Sequence, residues 1–573
     1  MANPTAAAVV LAAGKGVRMR TSLPKVMHPL AGRPLINHVL ANLAPVGCDP
    51  VVVVIGPGQE SVAKAVAPHR TVVQSQPLGT GHAVLAARAA LADFAGDVLV
   101  VYGDCPFITS ATIGRLLARR RQPDDPAAVV LGMRPSDPAE YGRLIVGAQG
   151  GLEAIVEFRD ATPEQRAIKL VNSGVMAIDG RRLFGLLDRV GNANAKGEYY
   201  LTDIVGLARK DGAACAVVEA PAIELLGINS RAELASAEAI LQDHLRLRAM
   251  ANGATLRDPR TVYFSYDTRL GSDVVVGPSV VFGTGVTIED GVEIRAFSHI
   301  EGARIARGAV IGPFARLRPG TVIGEKAHIG NFVEAKNATV GPGAKANHLT
   351  YLGDAVVGAA ANVGAGTITA NYDGFDKYRT EIGARASIGS NTVLVAPVQV
   401  GEGAIVAAGS VVTEKVSPDA LVVARGRQTE KPGWAAKFRE MKKAARNAAV
   451  LRHGDKAFTV AVTKSDGTAV PVDPAKLSVV TTKRPEPSAA PPGAAATPAP
   501  APPPSTTPAP AAKRPAKAKP PRGNGKAAPK AMAKPSPKPA PTPKRPAAKK
   551  AAKAKKPAPP AKKPVAAAKA RRR

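Results

Sequence analysis

Two hydrophobic periodicities divide the chain. In residues 1–228, short apolar runs at 6–11, 51–55, 98–101 and 128–131 alternate with segments of helical spacing such as 34–43 and 81–94. Strands alternating with helices predict an α/β domain with a mostly parallel sheet covered on both faces. Residues 229–249 read as a linker helix. Asn229 or Ser230 can cap it, and Leu234, Ile240, Leu241 and Leu245 suit an apolar stripe.

Across residues 250–433 the period becomes six. Val276, Phe282, Ile288, Ile294 and Ile300 form one series, and Ile305, Ile311, Leu317, Ile323 and Ile329 a second. Val340, Ala346 and Leu352 continue it, and Ile382, Ile388, Leu394, Val400, Val406 and Val412 resume after an interruption. Period six predicts a left-handed parallel β-helix of hexapeptide repeats, three short strands to a coil, with each repeated aliphatic side chain pointing inward. The glycine that often follows the aliphatic residue is expected to serve a tight corner. The insertion at 369–380, T-A-N-Y-D-G-F-D-K-Y-R-T, predicts a loop projecting from one face. In residues 434–480, a basic helix is expected over 434–450 and a hairpin over 457–472 around Asp466-Gly467.

Charge changes the picture only at the end. Residues 481–573 hold 24 Lys and Arg against one acid, Glu486, so this segment carries about +23 of the chain's +32. It also holds 25 of the 51 prolines and has no Phe, Trp, Tyr, Leu or Ile. Such a chain cannot bury enough apolar surface to offset its ordering entropy, so a disordered basic tail is expected. The tail is either a solvated appendage or a weak binder of polyanions, nucleic acid or anionic lipid. Three cysteines among 573 residues exclude a disulfide framework. No apolar run approaches the ~18 residues of a membrane span. The stretch 6–13 follows no basic segment and reads as a buried strand, so the cytoplasm is the expected location.

Candidate chemistry clusters in both halves. The first strand runs into L-A-A-G-K-G-V-R-M-R and then L-P-K-V at 23–26. Gly14 and Gly16 allow backbone N–H groups close to a phosphate chain, and Arg18 and Lys25 can neutralise it. Neither the P-loop nor the dinucleotide fingerprint is present. Gln74 to Ala83, Q-S-Q-P-L-G-T-G-H-A, is a polar loop suited to reading a base edge. Tyr102-Gly103-Asp104 places a carboxylate at the carboxyl end of a strand, where open α/β sheets bind ligands. An Asp there either caps a helix or, beside a phosphate loop, holds Mg²⁺. Cys105 beside it is either a small buried filler or a thiol whose modification blocks turnover. In the repeat region, Arg318, Lys336, His348, Tyr351 and Asn371 recur on successive coils and are expected to gather along one face. His348, with Glu334, Lys336 and Tyr351 nearby, is a candidate general base.

These motifs carry a resemblance over about residues 5–440. L-A-A-G-K-G-x-R-M, L-P-K-V, Q-P-L-G-T-G-H-A and Y-G-D look like a sugar nucleotidyltransferase. Y-G-R at 141–143, I-V-E at 155–157, A-T-P-E-Q-R at 161–166, N-S-G at 172–174, G-E-Y-Y-L-T-D at 197–203 and G-I-N at 227–229 follow in order. Joined to a hexapeptide β-helix, they resemble the bifunctional bacterial N-acetylglucosamine-1-phosphate uridylyltransferase / glucosamine-1-phosphate N-acetyltransferase family. The resemblance implies a Rossmann-like nucleotidyltransferase domain in which Leu11, Ala12, Ala13 and Gly14 hold uridine and ribose and Lys25 the phosphates. Gln74, Gly79 and Thr80 would read uracil, and Tyr102 and Gly103 would line the site. Gly142, Glu157 and Asn172 would hold N-acetylglucosamine, and Asp104 and Asn229 would ligate Mg²⁺. In the β-helix it implies His348 as the base that deprotonates the glucosamine amine. Arg318, Lys336, Tyr351 and Asn362 would be sugar-phosphate ligands. Ala365, Asn371, Tyr372, Ser390, Ala408 and Arg425 would contact acetyl-CoA. It further implies a homotrimer acting on glucosamine-1-phosphate, acetyl-CoA and UTP, feeding peptidoglycan and cell-envelope polysaccharide. Val17 departs from the threonine usual beside the phosphate loop. Two other readings are a nucleotidyltransferase whose β-helix only assembles it, and a basic scaffold that binds polymer through its tail.

Overall fold

The computed structural model describes residues 6–14, 16–454, 461–463 and 469–471. Lys15, the Asp466-Gly467 turn and the 481–573 tail lie outside the described residues. The first part is built on one sheet. Its main strands run, in spatial order, Cys215–Glu219, Ala128–Met133, Val171–Asp179, Asp97–Tyr102, Ala6–Leu11, Val51–Ile55 and Arg70–Val73. All pairings are parallel except those of Val171–Asp179, which runs antiparallel to both its neighbours. Ala6–Leu11 sits between Val51–Ile55 and Asp97–Tyr102 and is buried throughout. Its alternate residues feed two separate cores, Ala7, Val9 and Leu11 on one face and Ala6, Ala8 and Val10 on the other. That two-sided burial is why the strand reads as a continuous apolar run. The segment at 81–94 is broken: an α-helix spans Thr80–Leu85 and a 3₁₀ turn spans Arg88–Ala90.

A helix over Arg231–Ala251 follows. Ser230 caps it in a reciprocal capping box with Glu233, which frees the Asn229 side chain to point elsewhere. Leu245 is buried while Leu234, Ile240 and Leu241 are half-buried. Gln242 and Arg246 are buried too, bonded to the backbone of Phe264 and Val262, so this helix anchors the next unit by polar contacts. The hairpin Pro29–Leu30/Arg33–Pro34 also docks there. Ala31 O accepts from Tyr266 N at 2.9 Å and Ser265 Oγ at 3.1 Å, and Ala31 N donates to Glu238 at 2.8 Å.

From Thr255 onward, three parallel sheets of ten, eight and eight strands wrap into a triangular prism. Each strand pairs with the one a coil later, as Val276 does with Ile294 and Ile294 with Ile311. The period-six aliphatic residues all point inward and form a single continuous core. The following glycines serve a different purpose from the expected corner. A Cβ on Gly341 would lie 2.7 Å from Ala359 N, and one on Gly389 would lie 2.4 Å from Ala408 N. Close approach of the next coil, not positive φ, requires glycine at these positions. The left-handed corners fall elsewhere and are often held by non-glycine residues, Phe297, Phe314, Phe332 and Leu349 among them. Between Ile368–Ala370 and Thr380–Ile382 the insertion leaves the prism as a loop. A helix spans Trp434–Gly454, and Ala461–Thr463 pairs antiparallel with Ala469–Pro471.

Candidate active sites

The first site lies at the carboxyl ends of the parallel strands. A cavity of about 270 Å³ is lined by Leu11, Ala12, Ala13, Gly14, Lys25, Gln74, Gly79, Thr80, Tyr102 and Asp104, with Glu198 beside them. Ten residues singled out by motif therefore meet in one place, although they span more than ninety positions of sequence. Gly103 N donates to Leu11 O at 2.9 Å, which locks the Y-G-D turn against the end of the first strand. The polar loop at 74–83 is clasped from outside. Tyr199 N donates to Leu78 O at 2.8 Å, Gly81 N to Tyr199 O at 2.9 Å, and Leu201 N to Thr80 Oγ1 at 3.0 Å. Gly79, at φ 116°, is required because a Cβ would lie 2.5 Å from Tyr199 O. Gln74 donates to Gly79 O at 3.1 Å and contacts His82 Nδ1 at 3.1 Å, which fixes its amide.

Gly142, Glu157 and Asn172 lie together beyond Tyr102. Asn172 N donates to Gly142 O at 2.8 Å, and the Asn172 side chain accepts from Gly174 N at 2.8 Å. Gly174, at φ 88°, leaves room for the Tyr102 ring. The Glu157 carboxylate lies across Gly142, and burial pushes its pKa above the usual range against the pull of Lys196. Burial, then Glu157 and Asp104, also raises the Tyr102 phenol, so it remains a neutral donor.

Asp104 and Asn229 converge on one cation. Lys25 Nζ donates to Asp104 Oδ2 and, at 3.0 Å, to Asn229 Oδ1. An ammonium thus stands where two oxygen ligands face a common point. One carboxylate and one amide oxygen, completed by substrate phosphates, is the donor set Mg²⁺ accepts, so the residues fit the ion. Among the described residues no group of three or more His, Cys, Asp or Glu forms a self-sufficient metal cage. Cys105 is buried with Sγ 3.8 Å from Asp104 Oδ1, and burial and then that carboxylate push its thiol well up. Val17 is exposed and does not line this cavity.

The second site is built on a corner of the prism. His348 ends the strand Lys345–His348 on one face, and Tyr351 begins the strand Tyr351–Gly353 on the next. The predicted cluster therefore straddles a corner and does not lie along one face. His348 Nδ1 is 2.8 Å from Asn331 Oδ1 on the preceding coil. Arg318 pairs with Glu334 at 2.8 Å, and Glu334 stands opposite Tyr351. The Tyr351 phenol lies back over Gly353, where a Cβ would come within 2.5 Å of the hydroxyl. Asn371 opens the loop and donates to Asp354 Oδ2 at 2.5 Å. Tyr372 bridges to Lys377, closing the loop as a narrow hairpin. Lys377, contacting it from the loop, and then Arg318 hold the Lys336 ammonium below its usual range.

His348, Ala365, Ser390 and Ala408 each directly precede a left-handed corner residue, Leu349, Gly366, Asn391 and Gly409. Gly366 N donates to Leu349 O at 3.1 Å, Asn391 N to Ala365 O at 2.7 Å and Gly409 N to Ser390 O at 2.8 Å, so the four stack coil upon coil. Asn362 lies beside this column, in register with Lys345 and Ser387, and Arg425 packs near Gly409. Sequence reasoning missed Asn331, Lys377 and Glu198. Lys377 and Glu198 lie outside the repeat, and Asn331, at the same coil position as His348 one coil earlier, is brought to it by the coil-to-coil register.

A strand-end cavity on an α/β sheet, followed by a hexapeptide β-helix with a polar corner, is the architecture of a nucleotidyltransferase fused to an acyltransferase. Residues 8–171 match the MobA-like NTP transferase domain, and residues 267–302 and 379–414 match the bacterial transferase hexapeptide (six repeats). The chain is 63% identical over 439 residues to the bifunctional protein GlmU of Paramagnetospirillum magneticum, covering 77% of this chain and 98% of that one. It is 64% identical over 433 residues to bifunctional protein GlmU of Rhodospirillum rubrum, covering 76% and 97%. The chain belongs to the bifunctional GlmU family. It is a two-activity enzyme, a uridylyltransferase and an acetyltransferase.

Proposed function

We propose that the corner site acetylates glucosamine-1-phosphate from acetyl-CoA and that the strand-end site then joins the product to UTP, releasing pyrophosphate. The reading is carried by one observation: two polar sites on two different scaffolds each hold the groups their reaction needs. At the corner, Asn331 orients His348 so that Nε2 is free to take a proton from the amine as its nitrogen attacks the thioester carbonyl carbon. Ser390, two coils further along the same corner column, donates to the oxyanion, and the carbon–sulfur bond breaks to release the CoA thiol. Arg318, Lys336, Tyr351 and Asn362 hold the sugar phosphate. Ala365, Asn371, Tyr372, Ala408 and Arg425 hold acetyl-CoA.

At the strand-end site Leu11, Ala12, Ala13 and Gly14 bind the nucleoside, and Gln74, Gly79 and Thr80 read its base. Gly142, Glu157 and Asn172 orient the acetylated sugar, with Tyr102 and Gly103 forming the floor. A phosphate oxygen of the sugar attacks the α-phosphorus while Lys25 neutralises the phosphates, and pyrophosphate leaves with no covalent enzyme intermediate. Asp104 and Asn229 hold Mg²⁺, which when bound neutralises phosphate charge. Phe297, Phe314 and Phe332 stack at ring separations of 4.9 and 5.2 Å on an exposed corner, 54%, 45% and 55% exposed. Such a stripe suits a closed homotrimer of parallel prisms. Among the described residues no helix is long and apolar enough to cross a membrane. We place the enzyme in the cytoplasm, supplying peptidoglycan and envelope polysaccharide, with the tail binding polyanions.

The test follows thiol and pyrophosphate separately in one assay. His348→Ala should abolish thiol release, and Asp104→Ala should abolish pyrophosphate release from pre-acetylated sugar. Pyrophosphate without any thiol from the unaltered protein would reduce the β-helix to a scaffold.

A further inference from the structure

Lys25 opens a short 3₁₀ turn, Lys25–Met27, directly after the phosphate loop. Its ammonium bonds both Asp104 and Asn229 and touches the same cavity as residues 11–14. Asp104 is only 7% exposed. Its second oxygen faces Cys105 Sγ at 3.8 Å, a weak donor without charge. A carboxylate so buried is costly without a cation, and Lys25 is the cation in contact with it.

We infer that Lys25 is the resident cation of the nucleotide-free strand-end site and is exchanged for a divalent ion when a triphosphate arrives. The inference rests on the reading that Asp104 and Asn229 ligate the metal. In the free protein a divalent ion must displace the ammonium from Asp104, the carboxylate it bonds, leaving Glu198 as the other carboxylate of the cavity lining. Once a triphosphate lies along residues 11–14, its oxygens offer the ammonium a new partner. Lys25 then turns from Asp104 to phosphate and vacates the two ligand oxygens. Metal and nucleotide therefore bind with positive coupling through one side chain, and each raises the other's affinity by the same factor. Lys25 is a positioning residue for the metal as well as a phosphate ligand.

Mn²⁺ binding to the full-length protein tests this, read from the free-ion electron paramagnetic resonance signal without nucleotide. Lys25→Met and Lys25→Gln should each bind Mn²⁺ at least about ten-fold more tightly than the unaltered protein, since a unit charge beside the ligand oxygens is gone. Lys25→Arg, which keeps the pair, should stay weak. The gain should vanish in Lys25→Met/Asp104→Ala. Unchanged Mn²⁺ affinity in both neutral variants overturns the inference. If Asp104→Ala still lowers Mn²⁺ retention in the presence of UTP, the metal assignment survives that failure. A gain that persists in the double variant overturns both, because the ion would then sit elsewhere.

Discussion

Asn331 and His348 stand on adjacent coils of the β-helix at one corner, the asparagine half-buried and the histidine exposed, with Asn331 Oδ1 2.8 Å from His348 Nδ1. An amide oxygen can only accept, so Nδ1 carries the proton and Nε2 keeps its lone pair. The pair sets both the tautomer and the ring direction. Asn331→Ala should lower acetyl transfer about 10- to 100-fold in kcat, with KM for the sugar phosphate little changed. Pyrophosphate release from pre-acetylated sugar should be unaffected. Full acetyl-transfer kcat in this variant would show that His348 needs no orienting partner.

Arg120 is the ionic centre beneath the first sheet. It is 4% exposed and reaches Asp125 at 2.7 Å, Asp179 at 3.2 Å and Asp97 at 3.5 Å. Burial pushes the Asp179 carboxyl up, but bonds from Arg181 and the charge of Arg120 outweigh it and hold the pKa below the usual range. A lowered folded pKa contributes stability that is complete above the unfolded carboxylate value of about 4 and is lost as pH falls through the folded value. Arg120→Met should destabilise the first domain by about 3–5 kcal/mol, because three carboxylates lose a buried partner. Thermal unfolding of Asp179→Asn should differ most from the unaltered protein at pH 7 and converge with it below about pH 4. A gap independent of pH would remove the ion network from the stability of this domain.

Gly174 sits at φ 88°, where a Cβ would meet the Tyr102 ring at 2.5 Å. Gly174→Ala strains the backbone and displaces the ring that lines the strand-end cavity. Uridylyl transfer should fall at least about ten-fold while acetyl transfer stays intact. Equal rates before and after substitution would separate Tyr102 from the reaction.

Cys105 adjoins a proposed metal ligand but is buried, with its thiol pushed well up. Iodoacetamide at pH 7.5 should leave Cys105 unlabelled in the folded protein and label it after denaturation, as read by peptide mass mapping. Rapid native labelling accompanied by lost pyrophosphate release would instead make it a reactive thiol.

Deleting residues 481–573 should leave both reactions unchanged and abolish retention on heparin at low salt. The segment carries about +23, so retention by the full chain should fall steeply as salt rises. Loss of either activity on deletion would make the tail part of the catalytic body.

The sequence by itself determined the two scaffolds, because each rests on local spacing. A short apolar run suits a central strand buried on both faces, and an aliphatic residue every sixth position suits a closed three-sided coil, so the period-six residues from Val276 to Val412 point inward. It also singled out Asp104, Lys25 and His348, since short motifs carry charge and nucleophile chemistry at fixed spacing. Only the tertiary structure decided what those residues touch. Lys25 meets Asn229 across 204 positions, and no local rule relates them. The choice between Asn229 and Ser230 as cap fell to the Glu233 bond, which turned the asparagine toward the cation. Asn331 finds His348 because one coil equals 17 residues there, a register set by the closed prism. The role of the repeat glycines was likewise invisible in sequence, because a neighbouring coil forbids the Cβ and the glycine's own turn does not. Periodicity reports which way a side chain faces, whereas the partners it meets depend on how distant segments close upon one another.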